Sequence, residues 1–167
     1  MGTDIHVFME RELRGSWVPI QPPEVKDPED WDDFGRYVDP IPPLEQLAQA
    51  TLPFEDQVPS TAQEWWVSRD YMLFSNLASV RKYDDYAVFD EPRSLPENVS
   101  YAVESAIEDY HSKSYWSLSE LQMANDEASN GAAVSERVDM LLNAMQEIAT
   151  AYNLAPDQVR MVFGFDS

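Results

Sequence analysis

The prolines of this chain are concentrated in one stretch and decide where long regular elements can form. Proline lacks a backbone N–H and fixes φ, so closely spaced prolines interrupt both helices and strands. We therefore predict an irregular, acidic, proline-rich arm at about residues 21–63, with a short helix over 44–50, inside a single domain spanning 1–167. Eight of the 12 prolines fall in this arm: Pro22, Pro23, Pro28, Pro40, Pro42, Pro43, Pro53 and Pro59.

The residues outside the arm carry strand patterns near both ends of the chain. Alternating side chains predict a strand over residues 5–12, a returning strand over 17–20 and a final strand over 159–165. An apolar first strand needs partners or an edge cover. We expect the final strand to pair antiparallel with the first in one small sheet.

Between these strands, apolar residues recur at helical spacing. Four helices are predicted: one capped by Ser68, one over 97–110, one after Ser117, and one over 134–152. Ser117 and Glu120 have the spacing of a capping box. The fold class is therefore α+β, with a small antiparallel sheet that includes both terminal strands and about four helices packed on one face.

The charge is the strongest compositional signal. The chain has 31 Asp and Glu against 11 Lys and Arg, for a net charge of −20, and it has no cysteine. Such a field repels nucleic acid and anionic membranes and attracts basic surfaces, metal ions or cationic ligands. The alternative is an acidic surface that only keeps a small protein soluble. There is no run of 18 apolar residues. We predict a cytoplasmic protein with no direct nucleic-acid or membrane contact, whose arginines mostly form internal ion pairs.

The two histidines each stand two residues after an aspartate, in Asp4-Ile5-His6 and Asp109-Tyr110-His111. If the terminal strands pair, Asp166 lies near Asp4. A divalent metal ion could then be held by four side chains, and an acid–base pair is the second candidate. A purely structural role for both histidines also stays open. The predicted metal residues are Asp4, His6, His111 and Asp166, and the predicted catalytic pair is Asp109 and His111.

Several blocks of the sequence resemble a family of small, uncharacterised bacteriophage proteins that open with a Gly-x-Asp-Ile-His strand and carry an Asp-Gly-His-Ser segment. The similarity covers about half of the chain and leaves out the acidic arm. Tyr110 stands where that family usually has Gly, and Lys113 where a second His can stand. The resemblance implies a phage origin and no particular activity. Its blocks are residues 2–10, 17–18, 68–74 leading to 80–81, 93–96, 109–121 and 160–166.

Two functions of different class follow from these patterns. The first is a phage-encoded binding protein that covers a basic surface of a host protein, for example as a nucleic-acid mimic that inhibits a defence or nucleic-acid-handling protein. Its contact region would be the acidic arm, with two aromatic anchors. The predicted partner-binding residues are Glu24, Asp27, Glu29, Asp30, Trp31, Asp32, Asp33 and Phe34.

The alternative is a small metal-dependent hydrolase or ligand-binding enzyme that uses the two Asp-x-His motifs. Asp109 would orient His111 from outside the ligand shell. An anionic substrate would be held by Arg69, Arg81 or Arg93. Whether the chain is an enzyme at all is left open by the sequence.

Overall fold

The computed structural model describes residues 2–23, 44, 58–128 and 131–166. The strands and helices in chain order are β1 (Ile5–Leu13), β2 (Ser16–Ile20), α1 (Tyr71–Ala78), α2 (Tyr101–Ala106), β3 (His111–Ser117), α3 (Leu118–Glu127), α4 (Glu136–Ala151), a 3-10 turn (Pro156–Gln158) and β4 (Val159–Phe165). Most of the predicted arm, its helix beyond Leu44 and all eight predicted partner-binding residues lie outside the described residues.

The four strands form one antiparallel sheet in the order β2-β1-β4-β3. β1 and β4 are central neighbours, and Ile5 is paired with Phe165. The backbone N–H of Asp166 continues this ladder by donating to the carbonyl of Asp4 at 3.1 Å. The predicted α+β class and the pairing of the two terminal strands are therefore confirmed.

One face of the sheet carries the main hydrophobic core. Alternate residues of β1 and β4, including Val7 and Phe163, are fully buried there against α1, α3 and α4. Complete burial of an aromatic or branched side chain stabilises the fold by about 1.5–3 kcal/mol. The long amphipathic helix α4 supplies the largest share of this layer, in agreement with its sequence pattern.

The opposite face of the sheet carries a second, smaller cluster. Phe8 of β1 and Val162 of β4 pack there against Val103 of α2 and Ile107, which follows α2. The short helix α2 thus lies across the face that the other three helices leave open. These face assignments matter for the site, because His6 shares the α2-covered face with Phe8.

The bounds of three elements differ from the sequence expectation. β3 was not predicted, because the segment around His111 was interpreted as a turn after a long second helix. That helix, α2, begins only after Ser100, whose hydroxyl accepts the N–H of Val103. Asp70, and not Ser68, caps α1. The capping box of Ser117 and Glu120 is confirmed at the start of α3.

In the described part of the chain, no helix combines the length and the apolar composition needed to cross a membrane.

Candidate functional site: a histidine between two carboxylates

His6 lies near the start of β1, where the edge of the strand is covered by a segment from later in the chain. β1 pairs with β2 only from Met9 onward. Beside Val7 the place of β2 is taken by Trp65, whose N–H donates to the Val7 carbonyl at 2.8 Å. The buried indole of Trp65 also donates to the Ile20 carbonyl at 2.8 Å. These contacts place the neighbouring Glu64 beside His6.

The imidazole of His6 is held between two carboxylates. Nε2 lies 2.8 Å from Oδ2 of Asp166. Nδ1 lies 2.9 Å from Oε1 of Glu64, the distance of an ion pair. Because a carboxylate accepts and does not donate, two such neighbours favour a proton on both ring nitrogens. The His6 side chain is 16% exposed, so a charge on the ring is largely shielded from water.

Tyr110 stacks on the His6 ring, with centroids 4.0 Å apart and planes 7° from parallel. The stacking is made possible by Gly164, which pairs with His6 across the ladder. A Cβ at Gly164 would lie 2.9 Å from Cβ of Tyr110 and 3.2 Å from Cγ1 of Ile107. An isolated glycine in a strand often marks such a close approach.

A second layer of polar contacts connects this histidine to the start of the chain. Oδ1 of Asp166 accepts the backbone N–H of Asp4 at 2.9 Å. Arg69 donates two hydrogen bonds, of 2.9 and 3.0 Å, to the Asp4 carboxylate. Arg81 donates to the hydroxyl of Thr3 at 2.9 Å. The cluster therefore joins the beginning of β1, the end of β4 and the segment before α1.

The protonation equilibria of the cluster follow from these contacts. Burial lowers the pKa of His6, but the hydrogen bonds and charges of Glu64 and Asp166 outweigh it and raise the pKa above the ordinary 6.5. The contact with His6 and the N–H of Asp4 hold the pKa of Asp166 below its usual 3.8. Burial and the nearby carboxylates raise the pKa of the Tyr110 phenol. Both ends of the His6–Asp166 pair are thus favoured in their charged forms.

Three of the four predicted metal residues meet in this cluster, and His111 does not. His111 pairs with Phe165 across the ladder, and their rings lie 6.2 Å apart. Successive residues of β4 point to opposite faces, so the partners of His6 and His111 lie on opposite faces of the sheet. Within residues 2–23, 44, 58–128 and 131–166, no group of three or more His, Asp and Glu could hold a metal ion.

The remaining predicted site residues are distributed over separate contacts. His111 begins β3, is exposed, and places Nδ1 2.9 Å from the hydroxyl of Ser112. Arg93 binds Asp90 at 3.1 Å and Glu120 at 2.8 Å, away from the two arginines near the start of β1. Arg69, Arg81 and Arg93 are therefore each engaged by groups of their own chain.

Sequence reasoning missed Glu64, Tyr110 and Gly164. Glu64 stands in a segment with no helical or strand periodicity, and only its neighbour Trp65 hinted at a buried anchor. Tyr110 was noted as a departure from the family pattern and not as a stacking partner. Gly164 carried a usable signal, since it is an isolated glycine within a strand that is otherwise apolar except for Arg160.

Comparisons with family models, with curated proteins and with solved structures found no match to this chain. The resemblance to bacteriophage proteins stays a prediction.

Titration of His6 provides a direct test of this geometry. We expect NMR to give a His6 pKa above 6.5 and expect Asp166→Asn to lower it, because one favourable carboxylate is removed. A pKa raised by folding stabilises the protein below the unfolded value, and this stabilisation is lost as pH rises through the folded pKa. The difference in unfolding free energy between wild type and His6→Gln should therefore shrink as the pH is raised through the folded pKa of His6. The variant His111→Gln assigns the resonances, and a His6 pKa at or below 6.5 contradicts the bridged geometry.

Proposed function

We propose that this chain is an acidic binding protein that docks on a basic surface of a partner protein. The observation that supports this function is the excess of carboxylates, combined with arginines that form ion pairs within their own chain. The net charge is −20, and the structure ties several arginines into ion pairs with their own chain. These pairs are Arg69 with Asp4, Arg93 with Glu120, Arg137 with Asp70, and Arg160 with Glu10.

Because these arginines are engaged by carboxylates of their own chain, acidic side chains dominate the surface potential. Exposed acidic side chains occur on several elements, for example Glu104 on α2, Glu136 and Glu147 on α4, and Asp157 in the 3-10 turn. A surface of one sign steers a partner of the opposite sign and speeds association, with a strong dependence on salt. The partner expected from this chemistry is a protein with an exposed basic patch.

The acidic arm is the segment to which we assign the main contact. Between Glu24 and Asp39 it has seven acidic and two basic residues, and Trp31 and Phe34 supply aromatic anchors of the kind found in interface hot spots. In the bacteriophage setting that the resemblance implies, the partner would be a host protein that normally binds nucleic acid. The arm would then compete with nucleic acid for the same basic patch.

Neutralising the arm tests this function. The tagged chain should retain host proteins at low salt and release them at high salt or on addition of duplex DNA. We expect the neutralised arm to weaken capture about a hundredfold, at about 0.5 kcal/mol for each of six rim charges. Affinity is measured by a salt series with the captured protein. The substitutions are to Asn or Gln at Glu24, Asp27, Glu29, Asp30, Asp32 and Asp33.

A matched control distinguishes the effect of the arm on binding from the effect of the overall charge. It removes six acidic residues from the described surface and leaves the arm unchanged. We expect this control to retain most of the affinity. Equal losses in the two variants contradict the assignment to the arm, and an absence of any capture at low salt contradicts the proposed function. The control substitutions are at Glu91, Glu97, Glu104, Glu108, Asp109 and Asp157, all exposed.

A further inference from the structure

A groove with a volume of about 550 Å³ lies between α3, the second half of α4 and the 3-10 turn. Its apolar surface comes from Leu118 and Met123 of α3 and from Pro156 of the turn. Its size falls within the range of concave sites that enclose a ligand or a few side chains of a partner. It lies apart from the His6 cluster, since none of its lining residues takes part in that cluster.

Met123 is the feature that marks this groove as a contact surface. Its side chain is 62% exposed, although large apolar side chains on a helix are normally placed toward the core. Methionine is unbranched and polarisable, so it adapts to differently shaped apolar partners. Leu118, which also lines the groove, is 3% exposed and belongs to the main core.

The rim of the groove is negative for two independent reasons. Asp126 and Glu127 line it, and both stand in the last turn of α3. The C-terminal end of a helix carries a partial negative charge, so acids there are disfavoured and bases are preferred. That turn contains no basic residue, and the residues that line the groove include neither Lys nor Arg. The sequence thus places carboxylates where they do not help the helix and do strengthen the local negative potential.

We propose that this groove binds a basic amphipathic segment of the partner protein. An apolar side chain of that segment packs on Met123, Leu118 and Pro156, and its flanking Lys or Arg side chains face Asp126 and Glu127. An amphipathic helix laid into an apolar groove is a recurrent mode of peptide recognition. This inference rests on the proposed function, since it specifies the chemistry of the basic partner, and it adds a second contact separate from the acidic arm.

A synthetic peptide of Lys and Leu in an amphipathic helical pattern is the probe for this groove. With methyl-labelled methionine, NMR should show a shift of the Met123 methyl on titration, while the fully buried Met9 and Met161 stay unchanged. We expect Met123→Ala to weaken binding about tenfold, from the loss of its apolar contact. Tyr101→Ala is the matched control, since Tyr101 is 82% exposed on α2 and is expected to have no effect.

The rim is tested with the double variant Asp126→Asn, Glu127→Gln. We expect about fivefold weaker binding and a flatter salt dependence, whereas Glu104→Gln with Glu108→Gln on the α2 side should leave both unchanged. An amphipathic peptide of Glu and Leu should not bind. Binding of that acidic peptide, or equal losses in Met123→Ala and Tyr101→Ala, overturns the groove assignment.

Capture of host proteins separates failure of the groove from failure of the proposed function. If the cationic peptide does not reach Met123 while the arm still captures a partner in a salt-sensitive way, the groove assignment is wrong and the acidic binding function stands. If no partner is captured at low salt by the whole chain, the proposed function itself fails, whatever the peptide shows.

Discussion

Replacing Arg160 by Met is expected to lower the free energy of unfolding by about 3–5 kcal/mol, because it leaves a buried carboxylate without its cation. Glu10 is fully buried, and its Oε1 lies 2.8 Å from both Nε and Nη2 of Arg160. After the substitution Glu10 would keep, among the described residues, the N–H of Ser100 at 2.9 Å. Folded domains of this size are stable by about 5–15 kcal/mol, so the loss is a large fraction of the total. Urea unfolding followed by tryptophan fluorescence measures it.

Two controls decide whether the loss comes from the uncompensated charge. The double variant Glu10→Gln, Arg160→Met removes both charges and should recover most of the stability, because an apolar or neutral replacement of both partners is tolerated better than the loss of one. Arg69→Met breaks a pair whose side chains are 50% and 46% exposed. Solvent screens that pair, so its loss should change stability much less. Similar losses in Arg160→Met and in the double variant would show that the other contacts of the guanidinium, on Trp17 at 3.9 Å and with Asn98 at 2.8 Å, are the larger effect.

The elements that were predictable from the sequence are those whose own residues carry the pattern. β1 alternates, β4 is apolar except for Arg160 and Gly164, and α4 has a long amphipathic repeat with Ser135 as its cap. β3 has no such pattern: within it Ser114 and Trp116 are buried, and the rest is polar. Its extended conformation depends on hydrogen bonding to β4, which is a tertiary effect and leaves little trace in local sequence.

The candidate site was predictable in part for the same reason. The antiparallel pairing of the terminal strands was enough to bring Asp166 to Asp4 and His6. Placing Glu64 beside His6 required the hydrogen bond from Trp65 to β1, which joins residues far apart in the chain. To predict that His111 lies apart from His6, the register of β3 against β4 would have had to be known. A short Asp-x-His motif specifies two neighbouring side chains and says nothing about which face of a sheet each one reaches.

Replacing Asp70 by Ala is expected to lower the free energy of unfolding by about 2–4 kcal/mol, because this side chain connects the beginnings of two helices. Its Oδ1 caps α1 by accepting the N–H groups of Met72 and Leu73 at 3.0 and 3.2 Å. Its Oδ2 accepts the hydroxyl of Ser135, the residue that caps α4, and an N–H of Arg137 at 3.1 Å. The substitution removes one helix cap and takes away the carboxylate that accepts from Ser135 and Arg137 of the other helix. Thermal or urea unfolding measures the loss.

Comparison with an isolated cap tests the connection between the helices. Ser100→Ala removes the cap of α2 and should cost about 1 kcal/mol, the usual value for a single cap. Asp70→Asn keeps the capping oxygen and loses the charge. Burial raises the pKa of Asp70, but Ser135, Leu73 and Arg137 outweigh it and hold the pKa below 3.8. The charge therefore stabilises the fold above the unfolded pKa, and this contribution disappears as pH falls through the folded pKa. The difference in unfolding free energy between wild type and Asp70→Asn should therefore shrink in acid. If Asp70→Ala loses no more stability than Ser100→Ala, Asp70 acts on α1 alone.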